Sequence, residues 1–257
     1  MEYISLKKDG RTAEVLIQRP PANALSGALV EEIDEVLSMI EEDEEIRVVL
    51  IHGEGRFFSA GADIKEFTTL KTDDQFSELS ERGQRVFERI ETFAKPVIAA
   101  IHGAALGGGL ELAMSCHIRL VTENAKLGLP ELSLGLVPGF AGTQRLPRYV
   151  GVAKAAEMLM TSEPITGKEA VQWGLANHAY SEEELLPKAR ELANKISKKS
   201  PLSIKASIQL LNYAKHSQYY EGVSKEAELF GQVFNSNDAK EGIQAFLEKR
   251  QPEFKGK

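Results

Sequence analysis

The sequence predicts an α/β fold, because short apolar runs alternate along the chain with helical patterns. Three of the runs, residues 47–53, 96–103 and 117–123, are apolar almost throughout and are predicted to be buried strands. A fourth run, residues 13–18, is predicted to be a strand that ends at the break "PPANAL". The strands are therefore expected mainly in the first part of the chain.

Two amphipathic helices are predicted between these strands. Residues 25–42 have apolar side chains at helical spacing, and so do residues 73–93. In the second helix, the side chains predicted to face inward are Phe76, Leu79, Val86, Phe87, Ile90 and Phe93.

After about residue 150 the strand signals fade and helix-start signals replace them. "TGKE" (166–169) and "SEEE" (181–184) both fit the capping box, and "DAKE" (238–241) is a related pattern with Asp238 as the cap. Gly174 suits the end of a helix over 167–173. We expect residues 1–195 to form an α/β core that carries the active site, and residues 196–257 to form a helical oligomerisation region.

Composition indicates an ordinary soluble globular protein of 257 residues, with 42% hydrophobic and 27% charged residues. A net charge of −7 argues against nucleic acid as the main partner. Neither a signal-peptide pattern nor an apolar run of membrane-spanning length is present in the sequence. Cys116 is the single cysteine, which favours a reducing compartment, and the cytoplasm is expected.

Two segments of the sequence share one plan. Residues 48–64 and 96–112 each run from a buried strand through His-Gly and a small-residue loop to an apolar residue beside an acid. In α/β architectures, ligands tend to bind at the carboxyl ends of strands. Both loops are therefore candidate binding loops.

Three consecutive glycines, residues 107–109, stand in the second of these loops. Their context fits neither the Walker pattern nor the dinucleotide pattern, since Leu110 and Leu112 occupy positions that those motifs reserve for other residues. Two explanations stay open. The glycines allow close packing of a helix against a strand, or they expose backbone N–H groups at a helix start as an anion site.

Glu111 and Glu131 are the candidate acid–base residues. Each stands among apolar residues, where carboxylates are rare unless they are paired or functional. For Glu111 alone, capping of the helix that follows the glycines is an alternative explanation. Two carboxylates in apolar surroundings are typical of acid–base chemistry on one substrate.

Four segments together carry a family resemblance, in the expected order and spacing: "FFSAGADIKEF" (57–67), "IHGAALGGGLELAMSC" (101–116), "KLGLPELSLGLVPGFAGTQRLPR" (126–148) and "EPITGKEAVQWGLAN" (163–177). On these segments the chain resembles the enoyl-CoA hydratase/isomerase (crotonase) family over essentially its whole length, and most of all its bacterial hydratases. The resemblance implies a crotonase-like spiral of repeated ββα units followed by a C-terminal helical trimerisation region. It also implies an acyl-CoA thioester substrate and no metal or redox cofactor.

The resemblance further implies roles for particular residues. The backbone N–H groups of Ala62 and Gly108 match the family's oxyanion hole, and Glu111 and Glu131 match the two glutamates that hold one water. Glu111 is then expected to activate this water for attack on C3, and Glu131 to deliver a proton to C2. The residues expected to contact the substrate or its CoA are Ala60, Ala62, Asp63, Ile64, Lys65 and Gly108, with Phe246 and Lys249 reaching the CoA of a neighbouring subunit in a trimer or a dimer of trimers.

The sequence departs from the common family pattern at Leu129, where a polar residue is frequent, and at Phe140 and Ala141, in a segment that is usually richer in glycine. These positions are expected to flank the acyl pocket, so the acyl preference stays open. Two alternatives to a hydratase also stay open: a Δ3,Δ2-enoyl-CoA isomerase or similar family enzyme, and a non-catalytic binding protein on the same scaffold.

Four further residues are predicted to be structural rather than chemical. His52 and His102 end strands and receive no role from the resemblance. Cys116 is predicted to be a small buried hydrophobe, and Trp173 to pack in the core.

Overall fold

Two β-sheets organise the protein in a computed structural model that describes residues 1–67, 72–215 and 218–257. The strands are β1 (Ile4–Asp9), β2 (Thr12–Ile17), β3 (Val48–Gly53), β4 (Val97–Ile101), β5 (Ala104–Leu106), β6 (Ile118–Thr122), β7 (Lys126–Gly128), β8 (Ile165–Thr166) and β9 (His178–Tyr180).

The larger sheet has the strand order β1-β2-β3-β4-β6-β9, and the smaller one has the order β5-β7-β8. Strands β1 and β2 form an antiparallel pair, whereas every later neighbour in the larger sheet is parallel. Parallel pairing places the carboxyl ends of β3 and β4 at the same edge of the sheet. The two loops that share a sequence plan therefore leave the sheet side by side.

Ten helices are described. They are α1 (Gly27–Glu42), α2 (Ile64–Phe67), α3 (Asp73–Glu91), α4 (Gly108–Ser115), α5 (Gly142–Thr161), α6 (Gly167–Gln172), α7 (Glu182–Ser197), α8 (Pro201–Lys215), α9 (Tyr219–Phe234) and α10 (Asn237–Glu248). Within the described ranges, none of them is long and apolar enough to cross a membrane.

The predicted strands and helices of the first half are confirmed with small shifts in their ends. Helix α1 buries the apolar stripe that predicted it, and the side chain of Ser26 accepts a hydrogen bond from the backbone N–H of Leu29. Helix α3 buries Val86, Phe87 and Ile90. The side chain of Phe76, which was also predicted to face inward, lies outside the described residues.

Capping predictions in the second half have mixed outcomes. The capping boxes at Thr166 and Ser181 are confirmed, and Gly174 has the positive φ of 77° that suits a helix end. The prediction that Asp238 is an N-cap is wrong, because Ser236 caps α10. Asp238 is instead buried, and its carboxylate accepts hydrogen bonds from the N–H groups of Lys255 and Gly256 in the C-terminal tail.

Strands β5, β7, β8 and β9 were not predicted, because two or three residues carry too little periodicity to be recognised. Strand β1, which has six residues, was also not predicted. The prediction of helices alone over the last 60 or so residues is confirmed for the described part of that region. Helix α7 runs across residue 195 and packs against β3 and β4 through Leu185, Ala189 and Ala193. The division of the chain near residue 195 stays a prediction.

Candidate active site

A cavity of about 310 Å³ lies where the loops after β3 and β4 meet the start of α4. Its described lining is mainly apolar and backbone surface, with two carboxylates. The lining residues are Ala60, Gly61, Ala62, Ile64, Leu79, Ser80, Gly107, Gly108, Glu111, Pro130, Glu131, Leu134, Leu136, Val137, Gly139 and Phe140.

The two loops that share a sequence plan are joined to each other and to the start of α1. Ser59 in the first loop bridges to Ala105 in β5, and Leu25 bridges to Ala62. The N–H of Leu25 donates to the carbonyl of Gly61, and the N–H of Asp63 donates to the carbonyl of Leu25. These bonds hold the loop on both sides of Ala62.

Backbone N–H groups of Ala62 and Gly108 both belong to residues that line the cavity, and neither has a hydrogen-bond partner within the described ranges. Gly108 is the first residue of α4, where N–H groups have no partner inside the helix. A β-carbon on Gly61, next to Ala62, would lie 3.5 Å from the nitrogen of Gly108. The two donors therefore stand close together on the cavity wall.

Each of the three positions 107–109 requires or uses glycine for a different physical reason. Gly107 has a φ of 49°, and a β-carbon there would lie 2.9 Å from a carboxylate oxygen of Glu131. Gly109 lets α4 approach the Ser59 backbone so closely that a β-carbon would overlap its carbonyl oxygen. Gly108 contributes the free N–H. The two explanations left open by the sequence, close packing and an exposed N–H, thus apply to different glycines.

Glu111 is 1% exposed, and its Oε1 accepts hydrogen bonds from the N–H groups of Phe140 (2.8 Å) and Gly142 (2.7 Å). Burial, together with the neighbouring Glu131, raises the pKa of this carboxyl group to about 7, although the two hydrogen bonds and Arg145 oppose the shift. The alternative that Glu111 caps α4 is not supported, because no side chain caps this helix and the carboxylate is bonded to a different segment.

Glu131 begins a short 3₁₀ turn, Glu131–Leu134, on the other side of the cavity. Its Oε2 is buried, and no hydrogen-bond partner for it exists among the described residues. Burial also raises the pKa of Glu131. A buried carboxylate oxygen without a protein partner, facing a cavity, is suited to hold a proton or a small polar molecule.

A buried ion pair that the sequence reasoning missed supports the segment around Phe140. Arg145 donates to the carboxylate of Glu91 (3.0 Å) and to the carbonyl of Phe140 (2.8 Å), while the N–H of Phe140 holds Glu111. Arg148 and Lys215 also pair with Glu91, and these cations lower its pKa although burial opposes them. The only sequence signal was two arginines among apolar residues in "RLPR" (145–148).

Of the residues predicted to contact the substrate, Ala60, Ala62, Ile64 and Gly108 line the cavity together with both glutamates. Asp63 is not among the described lining residues. Its carboxylate pairs with Arg19 at 2.6 Å and also accepts a hydrogen bond from the N–H of Lys65.

Lys65, Phe246 and Lys249 are likewise not among the described residues that line the cavity. Phe246 is 82% exposed on α10, and Lys249 follows the end of that helix with a φ of 54°. Within this chain, these C-terminal side chains are therefore not part of the cavity wall.

The residues predicted to be structural differ in their outcomes. Cys116 is buried, and burial raises its pKa, which disfavours the nucleophilic thiolate. His52 is buried and His102 contacts the carbonyl of Gly55; neither lines the cavity in the described part of the chain. The prediction that Trp173 packs in the core is wrong, because it is 45% exposed, with the ammonium of Lys154 over its ring.

The structure also shows where the three residues that depart from the family pattern lie. Leu129 is fully buried and is not among the described residues that line the cavity, whereas Phe140 does line it. Ala141 has a φ of 68°, in the left-handed region that favours glycine. This conformation accounts for a preference for glycine at that position.

Comparison with known proteins gives a consistent result. The family model for enoyl-CoA hydratase/isomerase matches residues 7–257. A probable enoyl-CoA hydratase from Bacillus subtilis is 59% identical, with all of both chains covered. A short-chain-enoyl-CoA hydratase from Clostridium acetobutylicum is 42% identical, with 98% of this chain and 97% of that protein covered.

A crystal structure of enoyl-CoA hydratase from Bacillus anthracis superposes with a TM-score of 0.95 at 36% identity, covering 99% of this chain and 100% of that one. The predicted fold class, a crotonase-like α/β fold with C-terminal helices, is thereby confirmed. On the match over nearly its entire length, the chain belongs to the enoyl-CoA hydratase/isomerase family.

Proposed function

We propose that this protein is an enoyl-CoA hydratase, which adds water across the C2=C3 double bond of a trans-2-enoyl-CoA to give a 3-hydroxyacyl-CoA. One observation carries the proposal. Two carboxyl groups of raised pKa and two unpaired backbone N–H donors line the same cavity. The hydratase names of the relatives from Bacillus subtilis and Clostridium acetobutylicum support it.

In the proposed reaction, the thioester oxygen accepts hydrogen bonds from the N–H groups of Ala62 and Gly108. These donors stabilise the negative charge that develops on this oxygen as the enolate forms. One water lies between Glu111 and Glu131. Its oxygen bonds to C3 as Glu111 withdraws a proton, and Glu131 delivers a proton to C2. Hydration transfers no net electrons, so the proposal includes no redox cofactor. The two carboxyl groups and the two N–H donors supply the proton transfer and the charge stabilisation, so no metal is included either.

The proposed partners follow from charge and cysteine chemistry. The net charge of −7 disfavours nucleic acid, and no membrane partner is proposed. Cys116 is a buried free thiol, which suits a reducing compartment, and the cytoplasm is the proposed location.

Incubation with crotonyl-CoA tests the function most directly. A hydratase is expected to remove the enoyl-thioester absorbance and to form 3-hydroxybutyryl-CoA, identified by mass spectrometry. The protein is an isomerase if the absorbance of crotonyl-CoA does not fall and, in a separate assay, a 3-enoyl-CoA is converted into its 2-enoyl isomer. Binding of RNA without either reaction would indicate a binding protein on this scaffold.

The raised pKa of Glu111 predicts a pH dependence of kcat. Because Glu111 must be deprotonated to withdraw a proton from water, kcat is expected to fall as the pH drops through the pKa of about 7. The measurement is kcat for crotonyl-CoA between about pH 5 and about pH 9. A flat profile on the acid side would contradict the assigned role of Glu111.

We also propose a homotrimer, or a dimer of trimers, assembled through residues 196–257. The support within the described chain is a set of exposed large apolar side chains on α8, α9 and α10, since exposed apolar patches commonly mark protein–protein contacts. The exposed side chains are Leu211, Val223, Phe230, Phe234, Ile243, Phe246 and Leu247.

Lys249→Glu is expected to raise KM for CoA esters and to leave kcat largely intact. The reason is that a partly exposed lysine near the CoA phosphates of a neighbouring subunit contributes on the order of 1 kcal/mol, weakened by salt. The KM defect should therefore be largest at low ionic strength. Lys198→Glu, the same charge change at the end of α7, is the matched control.

Deletion of residues 196–257 is expected to abolish both assembly and activity, as measured by sedimentation and crotonyl-CoA hydration. Two results would contradict the proposal: a fully active monomer of the complete chain, or a Lys249→Glu variant with unchanged KM at low salt.

A further inference from the structure

The aromatic ring of Phe140 fills the space between helices α3 and α4 at the cavity. On one side it lies against Gly83 of α3, where a β-carbon would overlap ring carbons. On the other side it lies against Gly108 of α4, where a β-carbon would be 3.2 Å from two ring carbons. The ring is 6% exposed and lines the cavity. A glycine on each helix thus makes room for this one ring.

The position of the ring is set by its surroundings. Phe87, one turn beyond Gly83 on α3, is fully buried and packs edge-on against Phe140, with ring centroids 5.3 Å apart and an interplanar angle of 76°. The Phe140 backbone is held on both sides of its α-carbon, by Glu111 through its N–H and by Arg145 through its carbonyl. Packing on three sides and a fixed backbone make the ring a rigid wall.

The space that this wall leaves is small. A cavity of about 310 Å³ is at the lower end of the roughly 300–1,000 Å³ typical of small-molecule sites. On the proposed function, this volume must hold the thioester group at Gly108, the water between the glutamates and the acyl chain. The ring lies against Gly108, so it borders the part of the cavity into which the acyl chain must extend from the thioester.

We infer that Phe140, seated between Gly83 and Gly108 and backed by Phe87, closes the inner end of the acyl site and restricts the enzyme to short enoyl chains. The inference rests on the proposed hydratase function and adds to it the substrate class and the residue that sets it. Leu134, Leu136 and Val137 also line the cavity, but they are exposed and do not form a comparably packed wall.

The test compares kcat/KM for crotonyl-CoA, trans-2-hexenoyl-CoA and trans-2-decenoyl-CoA. For the natural protein, kcat/KM is expected to fall by at least about tenfold from the crotonyl to the decenoyl ester, since a closed pocket discriminates by this much or more per misfitting group. In Phe140→Ala, the decenoyl-to-crotonyl ratio should rise by at least about tenfold. Phe140→Leu, which keeps most of the apolar volume, should give an intermediate ratio and serves if the alanine variant does not fold.

Gly83→Ala provides a second, independent arm. The added methyl group must displace the Phe140 ring towards the cavity, so the variant is expected to lose activity with hexenoyl-CoA more than with crotonyl-CoA. In the double variant Gly83→Ala/Phe140→Ala, this loss should disappear because the ring is absent. Val152→Ala, at an exposed apolar residue of α5 that is not among the described residues lining the cavity, is the matched control and should leave the ratio of decenoyl to crotonyl activity unchanged.

The outcomes separate the two proposals. If the natural protein hydrates none of the three esters, the proposed function is wrong. If it hydrates decenoyl-CoA as well as crotonyl-CoA, the function stands and the inference is overturned, with the chain leaving past the exposed lining residues. Unchanged ratios in both Phe140 variants, or an effect of Gly83→Ala that persists without the ring, would also overturn it.

Discussion

Replacement of either Glu111 or Glu131 by glutamine is expected to lower kcat for hydration of crotonyl-CoA by at least about 100-fold, the usual scale for a general acid–base group. Glutamine keeps the size of the side chain but neither withdraws nor delivers the proton. At position 111 the amide oxygen still accepts hydrogen bonds from the N–H groups of Phe140 and Gly142, so the local backbone should be preserved. The loss is therefore expected in the chemical step, with a much smaller change in CoA-ester binding.

The measurement is steady-state kinetics together with calorimetric binding of a CoA ester. Glu42→Gln, at the exposed end of α1, is the matched control and should behave like the natural protein. Near-normal hydration by either the position-111 or the position-131 variant would show that the two-glutamate mechanism does not operate in this protein.

Gly108→Pro is expected to raise the free energy of the transition state by about 3–4 kcal/mol, the typical cost of losing one oxyanion donor. Proline removes the N–H outright. Gly108 is the first residue of α4, a position where proline is well tolerated because its N–H has no partner inside the helix. The substitution can therefore remove the donor and still leave the helix formed, which circular dichroism will check.

Gly108→Ala separates the loss of the donor from the effect of added volume. Alanine places a β-carbon at 3.2 Å from the Phe140 ring, as proline does, but it keeps the N–H. The ratio of kcat/KM between the alanine and proline variants sets an upper limit on the contribution of the donor, because proline also places its Cδ where the N–H pointed. A correctly folded proline variant as active as the alanine variant would refute the role of the Gly108 N–H.

Much of the architecture could be predicted from the sequence, because periodicity and local chemistry are properties of neighbouring residues. The apolar runs predicted β3, β4 and β6, and the cap residues predicted the starts of α6 and α7. Strands β8 and β9 were missed because their local signal was too short. The N-cap of α10 was assigned wrongly to Asp238 because Ser236, two residues earlier, is also a good cap residue.

The chemical character of the candidate site was also visible locally. Glu111 and Glu131 stood out as carboxylates among apolar residues, and the glycine run indicated an unusual backbone at 107–109. Their meeting was not visible, because it depends on which strands are neighbours. The pairing of β3 with β4 brings the two loops together, and the pairing of β5 with β7 places the segment of Glu131 beside the start of α4, which carries Glu111.

Contacts between residues far apart in the chain were decided by the tertiary structure alone. The Glu91–Arg145 ion pair spans 54 positions, and the placement of the Phe140 ring requires glycines on two separate helices. No local pattern encodes such a contact, since each partner is an ordinary residue in its own segment. The sequence by itself determined the strands, the helices and the kinds of reactive group. Packing determined which of them share a cavity, how deeply each carboxyl group is buried and how much space the acyl chain receives, because burial and distance exist only once the chain has folded.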